Sequence, residues 1–202
     1  TFVQRSDENT KRDFPFDYEL KIKYTINGDT VTNEYTVTNT GEDKLPFVIG
    51  GHPAFNCPLA KNEKFEDYKV VFDKNITKPC LRPDHHTGLV NVFEKFDEMH
   101  GGDTLSLVHE LFEEKDALIF ENCEAKSATL IGKSGKGVKI EFQDMNNLLI
   151  WSAVGNAPFV ALEPWTGLAS CNDEDGLFEH KRGMTVLEKD ETASFKFKIT
   201  MI

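Results

Sequence analysis

The clearest pattern in the chain is a strict alternation of apolar and polar side chains from Phe16 to Ile26. The segment reads FDYELKIKYTI, so its apolar residues would share one face of an extended strand and its polar residues the other. A period of two predicts a half-buried β-strand. Asn27-Gly28 follows, a dipeptide that favours a tight turn because it tolerates positive φ. The alternation resumes from Val31 to Thr38, and the sequence therefore predicts an antiparallel hairpin.

Short runs of strand length recur along the rest of the chain. They are rich in β-branched and aromatic residues and are separated by turn-forming Gly, Asn and Asp. The predicted strands are LPFVIG from Leu45, YKVVF from Tyr68, ALIF from Ala117, SATLIG from Ser127, GVKIEF from Gly137, LLIWSAV from Leu148, FVALE from Phe159 and ASFKFKI from Ala193. Helical periodicity is scarce, and we expect at most a helical turn or two, around Glu94–Met99 or Leu107–Glu113. The pattern predicts an all-β fold, a large antiparallel β-sandwich with long functional loops.

Composition narrows the functional classes. The 202 residues are 39% hydrophobic and 28% charged, which suits one globular domain with a substantial core. A formal net charge of -11 and a pI near 5.0 argue against nucleic acid and anionic lipid as partners. No apolar run approaches the roughly 18 to 20 residues of a membrane-spanning helix, and the polar start does not resemble a signal peptide.

The four cysteines lie far apart in the sequence. They form no C-x-x-C pair, and no histidine stands at zinc-finger spacing, so neither a metal site nor a redox motif is predicted. An even number of cysteines permits two disulfides, but a chain of this size can form a core without them. We interpret the cysteines as reduced thiols and expect a cytoplasmic protein.

Two segments carry candidate chemistry. In GGHPAFN, two glycines and a proline frame His52 at the end of a predicted strand. Such a frame suits a rigidly held imidazole, although a histidine packed beside an ordinary turn is the simpler interpretation. In ALEPWTG, Glu163 interrupts the apolar end of a strand, where an acid is costly unless it is paired or functional. A strand that has simply reached solvent explains Glu163 equally well.

Other candidates are weaker. Trp151 and Trp165 each follow a strand and could offer a flat apolar surface to a sugar, although most tryptophans in sandwiches belong to the core. Asp116 is either a turn residue or a ligand of sugar hydroxyls. His85 and His86 are adjacent, so on an extended chain their side chains point to opposite faces and a solvated loop is favoured over a metal site. No phosphate-binding glycine loop, G-x-S-x-G elbow or H-E-x-x-H helix is present.

Two longer stretches resemble the signatures of one enzyme family. VTNTGEDKLPFVIGGHPAFNCPL and FVALEPWTG are similar to aldose 1-epimerases, in particular to the LacX-type branch of that family. The similarity continues through DTLSLVHELFEEKDALIF, NNLLIWSAV and GMTVLEKDETASFKFKI. The resemblance implies a β-sandwich of the galactose mutarotase type that interconverts the α and β anomers of a free aldose.

The resemblance also implies roles for individual residues. By motif, the family's general acid falls on His52 and its general base on Glu163, and no cofactor is needed. By looser analogy, Asp116, Trp151 and Trp165 would contact the sugar, and Asn56 would contact the sugar or support the His52 turn. An imidazole that is partly protonated near neutral pH can protonate the ring oxygen, while a carboxylate removes the anomeric hydroxyl proton.

One departure from the family concerns the N-terminal region. Family members carry further N-terminal strands with an arginine and a second histidine that help to hold the sugar, and neither residue can be assigned here. We therefore expect residues 1–13 to be a polar leader or the remnant of a missing N-terminal section, and residues 14–202 to form a single epimerase-like domain. Sheet edges left uncovered in this way could support a homo-oligomer.

Three alternatives stay open at this point. A non-catalytic carbohydrate-binding sandwich would use the two tryptophans as platforms, and a structural module would retain only the fold. An epimerase that acts on a sugar phosphate would need Arg or Lys near the site. The sequence favours a neutral aldohexose.

Overall fold

A computed structural model describes residues 1–84, 86–113 and 116–202 of the chain. It consists of two antiparallel sheets that face each other, together with a small two-stranded sheet. The predicted fold class, an antiparallel β-sandwich with few helices, is confirmed.

The strands that the structure describes are, in chain order, β1 (Phe2–Arg5), β2 (Tyr18–Asn27), β3 (Thr30–Asn39), β4 (Leu45–Phe47), β5 (Ala54–Asn56), β6 (Tyr68–Phe72), β7 (Cys80–Pro83), β8 (Val90–Phe96), β9 (Thr104–Ser106), β10 (Leu118–Phe120), β11 (Ser127–Gly132), β12 (Gly137–Glu141), β13 (Asn147–Trp151), β14 (Phe159–Trp165), β15 (Thr185–Leu187) and β16 (Thr192–Met201). Two short α-helices, α1 (Thr10–Asp13) and α2 (Glu110–Glu113), and two 3₁₀ turns, Phe65–Asp67 and Phe178–His180, complete the described elements.

The larger sheet has eight strands in the order β1-β2-β3-β16-β12-β11-β6-β9. The smaller sheet has six, in the order β5-β14-β13-β10-β7-β8, and β15 pairs with β4. Neighbouring strands are antiparallel throughout. The strands β5, β14 and β13, which carry most of the candidate residues, are consecutive in the smaller sheet, so this sheet positions the candidate site.

The predicted hairpin is formed by β2 and β3. Their register runs from Tyr18 opposite Asn39 to Asn27 opposite Thr30, and Gly28 takes the left-handed φ of +56° that the turn requires. The apolar face of β2 is only partly buried, however. Ile26 at its far end is 76% exposed, because this end of the hairpin extends beyond the buried core.

The core lies between the two sheets and takes alternate residues from each strand. In the smaller sheet, one face of β10, β13 and β14 enters this core. Its residues are Leu118, Phe120, Leu148, Ile150, Val160 and Leu162. Because side chains alternate along a strand, the residues between them face away from the sandwich core. That outward face carries Ile119, Leu149 and Glu163, and it holds the candidate site.

The structure also corrects some expectations about local elements. A helical turn forms at Glu110–Glu113, within one of the two regions where it was predicted. In the other region, Glu94–Met99, no helical turn forms, because Val90–Phe96 is a strand that pairs with β7 and residues 97–99 are not helical. None of the helices in the described part of the chain is long and apolar enough to cross a membrane.

Several strands were absent from the predictions. They are β1, β5, β7, β8, β9 and β15. Most of them are only three or four residues long, and too short to show a period of two. The first, Phe2–Arg5, pairs with β2 along its whole length, with Phe2 opposite Ile22 and Arg5 opposite Glu19.

Candidate active site

A cavity of about 460 Å³ lies against the outward face of the smaller sheet. Its floor comes from β10, β13 and β14, which contribute Ile119, Leu149 and Glu163. The cross-strand register places Leu149 directly opposite Glu163, so both side chains share this face. A volume of this size falls within the range of small-molecule sites, about 300 to 1,000 Å³.

Glu163 is buried inside β14 and is not at a strand end that has reached solvent. The residue is only 2% exposed, and the strand continues through Pro164 to Trp165. Burial raises the pKa of the Glu163 carboxyl to about 7, and the negative charge of Asp116 acts in the same direction. The nearby indole N–H of Trp165 opposes this rise. A carboxyl group with a pKa near neutrality can exchange protons at physiological pH.

His52 reaches the cavity from the segment that connects β4 to β5. Its side chain is 58% exposed, although its ring contacts that of Trp151. The imidazole Nε2 lies 3.3 Å from Oε1 of Glu163. An exposed imidazole and a buried carboxylate thus share one side of the cavity.

Hydrogen bonds to the end of β14 hold the segment that carries His52. Thr166 forms two hydrogen bonds with Ile49. Its backbone N–H donates to the Ile49 carbonyl at 2.9 Å, and its Oγ1 accepts from the Ile49 N–H at 2.9 Å. The Gly51 N–H donates to the Pro164 carbonyl at 3.0 Å. His52 and Glu163 are distant in sequence, but their backbones are joined within a few residues of each side chain.

Glycine is required at position 50 because Trp165 lies directly against it. A Cβ on Gly50 would overlap Cδ1 of the indole and would stand 2.7 Å from Cγ and 3.1 Å from the Pro164 carbonyl oxygen. The indole N–H of Trp165 donates to the Gly51 carbonyl at 3.2 Å. Trp165 therefore supports the His52 segment as well as lining the cavity.

Asp116 and Trp151 line the same cavity and contact each other. The indole N–H of Trp151 donates to Oδ1 of Asp116. The ring of Trp151 meets the ring of His52 at a centroid distance of 5.7 Å and an interplanar angle of 85°. The structure thus brings together five of the six residues proposed from the sequence: His52, Asp116, Trp151, Glu163 and Trp165.

Asn56 is the sixth, and it lies apart from this group. It is exposed on β5, where its backbone pairs with Phe159. Among the residues that the structure describes, it is outside the set that lines the cavity. A sugar contact by Asn56 stays a prediction without geometric support.

Other residues with a structural or lining role were not predicted. Asp84 contributes a carboxylate from the loop between β7 and β8. Asn147 holds the turn after β14, since its side-chain amide donates to three successive carbonyls, of Trp165, Thr166 and Gly167, at 3.3, 3.2 and 2.9 Å. The PDHHTG segment could have indicated a turn that contains Asp84. It was missed because the two strands that flank this segment, β7 and β8, were not predicted from the sequence.

The chemistry of the site involves acid and base side chains. Within residues 1–84, 86–113 and 116–202, no group of three or more His, Cys, Asp or Glu residues is arranged to hold a metal ion. His85, one of the two adjacent histidines, lies outside the described residues. All four cysteines are free and buried.

The fold and the site define a class, the β-sandwich proteins of the galactose mutarotase type. A sequence model described as "Aldose 1-epimerase" matches residues 1–200, a span that includes the first thirteen residues. The chain belongs to the aldose 1-epimerase family.

Individual relatives agree with this assignment. The plasmid-encoded protein LacX of Lactococcus lactis subsp. lactis is 34% identical over 206 aligned positions, which cover 100% of this chain and 68% of LacX. Among solved structures, a galactose mutarotase related enzyme from Lactobacillus acidophilus has a TM-score of 0.87 and 25% identity, covering 100% of this chain and 67% of that one. A galactose mutarotase-like protein from Lactobacillus casei has a TM-score of 0.84 and 29% identity, with 100% and 69% coverage. The chain thus spans about two thirds of the length of each relative.

Proposed function

We propose that this protein interconverts the α and β anomers of a free aldohexose, with His52 as general acid and Glu163 as general base. The observation that carries this proposal is the pairing of a buried carboxylate with an exposed imidazole, 3.3 Å apart in one cavity. Membership of the aldose 1-epimerase family supports the same reaction type.

The proposed reaction opens and recloses the sugar ring. Glu163 removes the proton of the anomeric hydroxyl while the C1–O5 bond breaks and protonated His52 gives its proton to O5. The open-chain aldehyde then rotates about C1–C2. In the reverse steps, protonated Glu163 returns a proton to the aldehyde oxygen, neutral His52 takes the O5 proton, and O5 attacks the opposite face of C1. Both side chains recover their starting protonation states, so no other reactant is needed.

The surroundings of Glu163 favour its role as the base. A carboxylate with an ordinary pKa is a weak base towards a hydroxyl group, whereas one with a pKa of about 7 is better matched to proton transfer near neutral pH. Exclusion of water from the buried carboxylate, which is 2% exposed, is what raises this pKa.

The electrostatics of the cavity favour a neutral sugar over a sugar phosphate. Three carboxylates, those of Asp84, Asp116 and Glu163, line the cavity. Neither lysine nor arginine is found among its lining residues in the described part of the chain. A phosphate group would meet negative charge there without a cationic partner. We propose that the indole rings of Trp151 and Trp165 border an uncharged pyranose.

We also propose a cytoplasmic location and self-association. Four free cysteines suit a reducing compartment, where disulfides are rare. Strands β1 and β8 end their sheets, and the unpaired backbone groups of such edge strands can pair with another copy. The net charge of -11 supports the absence of nucleic acid and of anionic membranes among the partners.

The direct test of the proposed function is saturation-transfer NMR between the α and β anomeric protons of glucose and galactose. The wild-type chain is expected to accelerate exchange well above the buffer rate. Sugar-dependent shifts in the protein spectrum without faster exchange would instead identify a carbohydrate-binding protein. An unchanged exchange rate together with an unchanged protein spectrum would exclude both functions for these sugars.

The pH dependence of this activity follows from the pKa of Glu163. As a base, the carboxylate must be ionised, and its pKa is about 7. We therefore expect kcat/KM to rise with pH through about 7 as Glu163 ionises, and to fall again at higher pH because His52 must keep the proton that it gives to O5. Exchange rates measured from about pH 3.5 to about pH 9 would reveal both limbs. A rising limb centred near the ordinary pKa of this glutamate, 4.5, would contradict the proposed environment of the base.

A further inference from the structure

Asp116 occupies an unusual backbone position beside the cavity. Its φ is +55°, a left-handed value that is uncommon for residues other than glycine. The backbone N–H donates to the Phe112 carbonyl at 3.2 Å, which ties the residue to the end of α2. This conformation directs the carboxylate towards Trp151, where Oδ1 accepts the indole N–H.

Trp151 is held on two sides. Asp116 fixes the edge of the indole that bears the N–H, and the ring of Phe159 lies at a centroid distance of 5.5 Å with an interplanar angle of 59°. The indole is therefore a fixed wall of the cavity. His52 packs against this wall in an edge-to-face arrangement, at a centroid distance of 5.7 Å.

His52 depends on such a wall because its side chain is 58% exposed. An exposed side chain samples several staggered rotamers, and they do not all direct Nε2 towards Glu163. Two described contacts restrict the imidazole: the approach of Nε2 to Glu163 at 3.3 Å and the ring of Trp151. A shift of the indole would remove one of these two restraints.

We propose that Asp116 is a positioning residue that acts through Trp151 to hold the imidazole of His52 in its catalytic orientation. This role differs from the hydroxyl contact that the resemblance implies. Its consequence for catalysis rests on the proposed function, whereas the alignment of Asp116, Trp151 and His52 can be tested without any reaction.

Three variants separate the hydrogen bond from the charge. Asp116→Ala removes both the acceptor and the charge. Asp116→Asn keeps an oxygen that can accept from the indole, and asparagine tolerates the left-handed backbone. Trp151→Phe keeps an aromatic ring but removes the donor.

The structural test is an NMR measurement on the complete chain without sugar. The Trp151 indole N–H resonance, assigned by its loss in Trp151→Phe, is expected to move upfield in Asp116→Ala and to stay near its wild-type position in Asp116→Asn. The His52 ring resonances, assigned by their loss in His52→Gln, are expected to move in Asp116→Ala because the Trp151 ring current acts on them. Backbone amide spectra report whether each variant is folded.

The kinetic test compares kcat and KM for anomer exchange. Misplacement of a catalytic group by about 1 Å can cost about a hundredfold in rate, so we expect Asp116→Ala to lower kcat by about ten- to a hundredfold with little change in KM. At a pH where Glu163 is ionised in both chains, Asp116→Asn should retain kcat within about threefold, because the hydrogen bond persists although the charge that raises the pKa of Glu163 is gone. If the hydrogen bond between Asp116 and Trp151 alone accounts for the loss of kcat, the two substitutions should not add. The double variant, Asp116→Ala with Trp151→Phe, should then be no slower than the slower of the two single variants.

Specific outcomes would overturn the proposal. A folded Asp116→Ala chain whose Trp151 and His52 resonances do not move would refute the positioning role, whatever its activity. A raised KM with an unchanged kcat would identify Asp116 as a sugar ligand instead. If the wild-type chain does not accelerate exchange at all, the proposed function fails, and the NMR comparison still decides whether Asp116 positions His52.

Discussion

Replacement of Glu163 by glutamine is expected to slow anomer exchange by about a hundred- to ten-thousand-fold, the usual contribution of a positioned acid or base. Glutamine has nearly the same shape but cannot accept the proton of the anomeric hydroxyl. The carboxylate it replaces is buried and lies 3.3 Å from His52. Saturation-transfer NMR at equal protein concentration measures the effect directly. A Glu163→Gln variant that kept more than about a tenth of the wild-type rate would remove Glu163 from the role of base.

The stability of this variant provides the control for folding. In the wild-type chain the pKa of Glu163 is about 7 in the folded state, against an ordinary value of 4.5. Between these values the folded chain keeps a proton that the unfolded chain has lost, so this carboxyl lowers the free energy of unfolding as pH rises. The loss is complete above pH 7 and amounts to at most about 3 kcal/mol.

Glutamine does not ionise, so the variant should gain stability relative to wild type as pH rises from about 4.5 to about 7. Denaturant unfolding at several pH values would show this gain. An inactive variant that is also more stable than wild type above pH 7 would show that activity was lost for a chemical reason. Equal stability of the two chains at every pH would contradict the raised pKa.

Replacement of Gly50 by alanine should have the second largest effect. The new Cβ would overlap the indole of Trp165, and the nearby Pro164 carbonyl belongs to the backbone and leaves little room for relaxation. We expect a loss of stability of about 1 to 3 kcal/mol from overpacking. Because the same segment carries His52, we also expect kcat/KM to fall by about a hundredfold. Thermal unfolding and anomer exchange measure the two effects.

Gly28→Ala is the matched control. Gly28 has a φ of +56°, and a Cβ there would meet nothing within 4 Å. This variant should lose about 1 kcal/mol of stability because alanine is strained in the left-handed region. It should keep full activity because the hairpin turn belongs to the larger sheet and is outside the set of residues that lines the cavity. If both variants lost activity in proportion to their loss of stability, the contact between Gly50 and Trp165 would have no specific role in catalysis.

The hairpin of β2 and β3 shows what local sequence can predict. Its two strands are long, its turn is an Asn-Gly pair, and all the information lies within residues 16–38. Short strands such as β5 and β9 could not be found in this way, because three residues do not establish a period. Their backbone hydrogen bonds depend on neighbours that lie far along the chain.

The candidate site shows where local information ends. The residues around Glu163 were equally consistent with a solvated strand end and with a buried functional acid. Which of the two interpretations of Glu163 holds depends on tertiary structure. The pairing of β14 with β13 places Leu149 opposite Glu163, and the segment at Gly50 covers the strand end. The hydrogen bond between Asp116 and Trp151 likewise joins side chains that are distant in sequence, one in the segment before β10 and the other at the end of β13. The family resemblance named these residues, but contacts between distant segments could not be read from one sequence.

Strands β13 and β14 divide their residues between the two faces of the smaller sheet. Leu148, Ile150, Val160 and Leu162 enter the core, whereas Leu149, Trp151, Ala161 and Glu163 lie on the other side. Changes at the outward positions therefore act on the cavity and on a second, smaller cluster of buried side chains that includes Leu149, while the inter-sheet core keeps its residues. A mutant library restricted to Leu149 and the neighbouring Ile119 would vary the floor of the cavity while leaving unaltered the residues of these strands that enter the inter-sheet core. Natural divergence in sugar preference should show the same two-residue period along these strands.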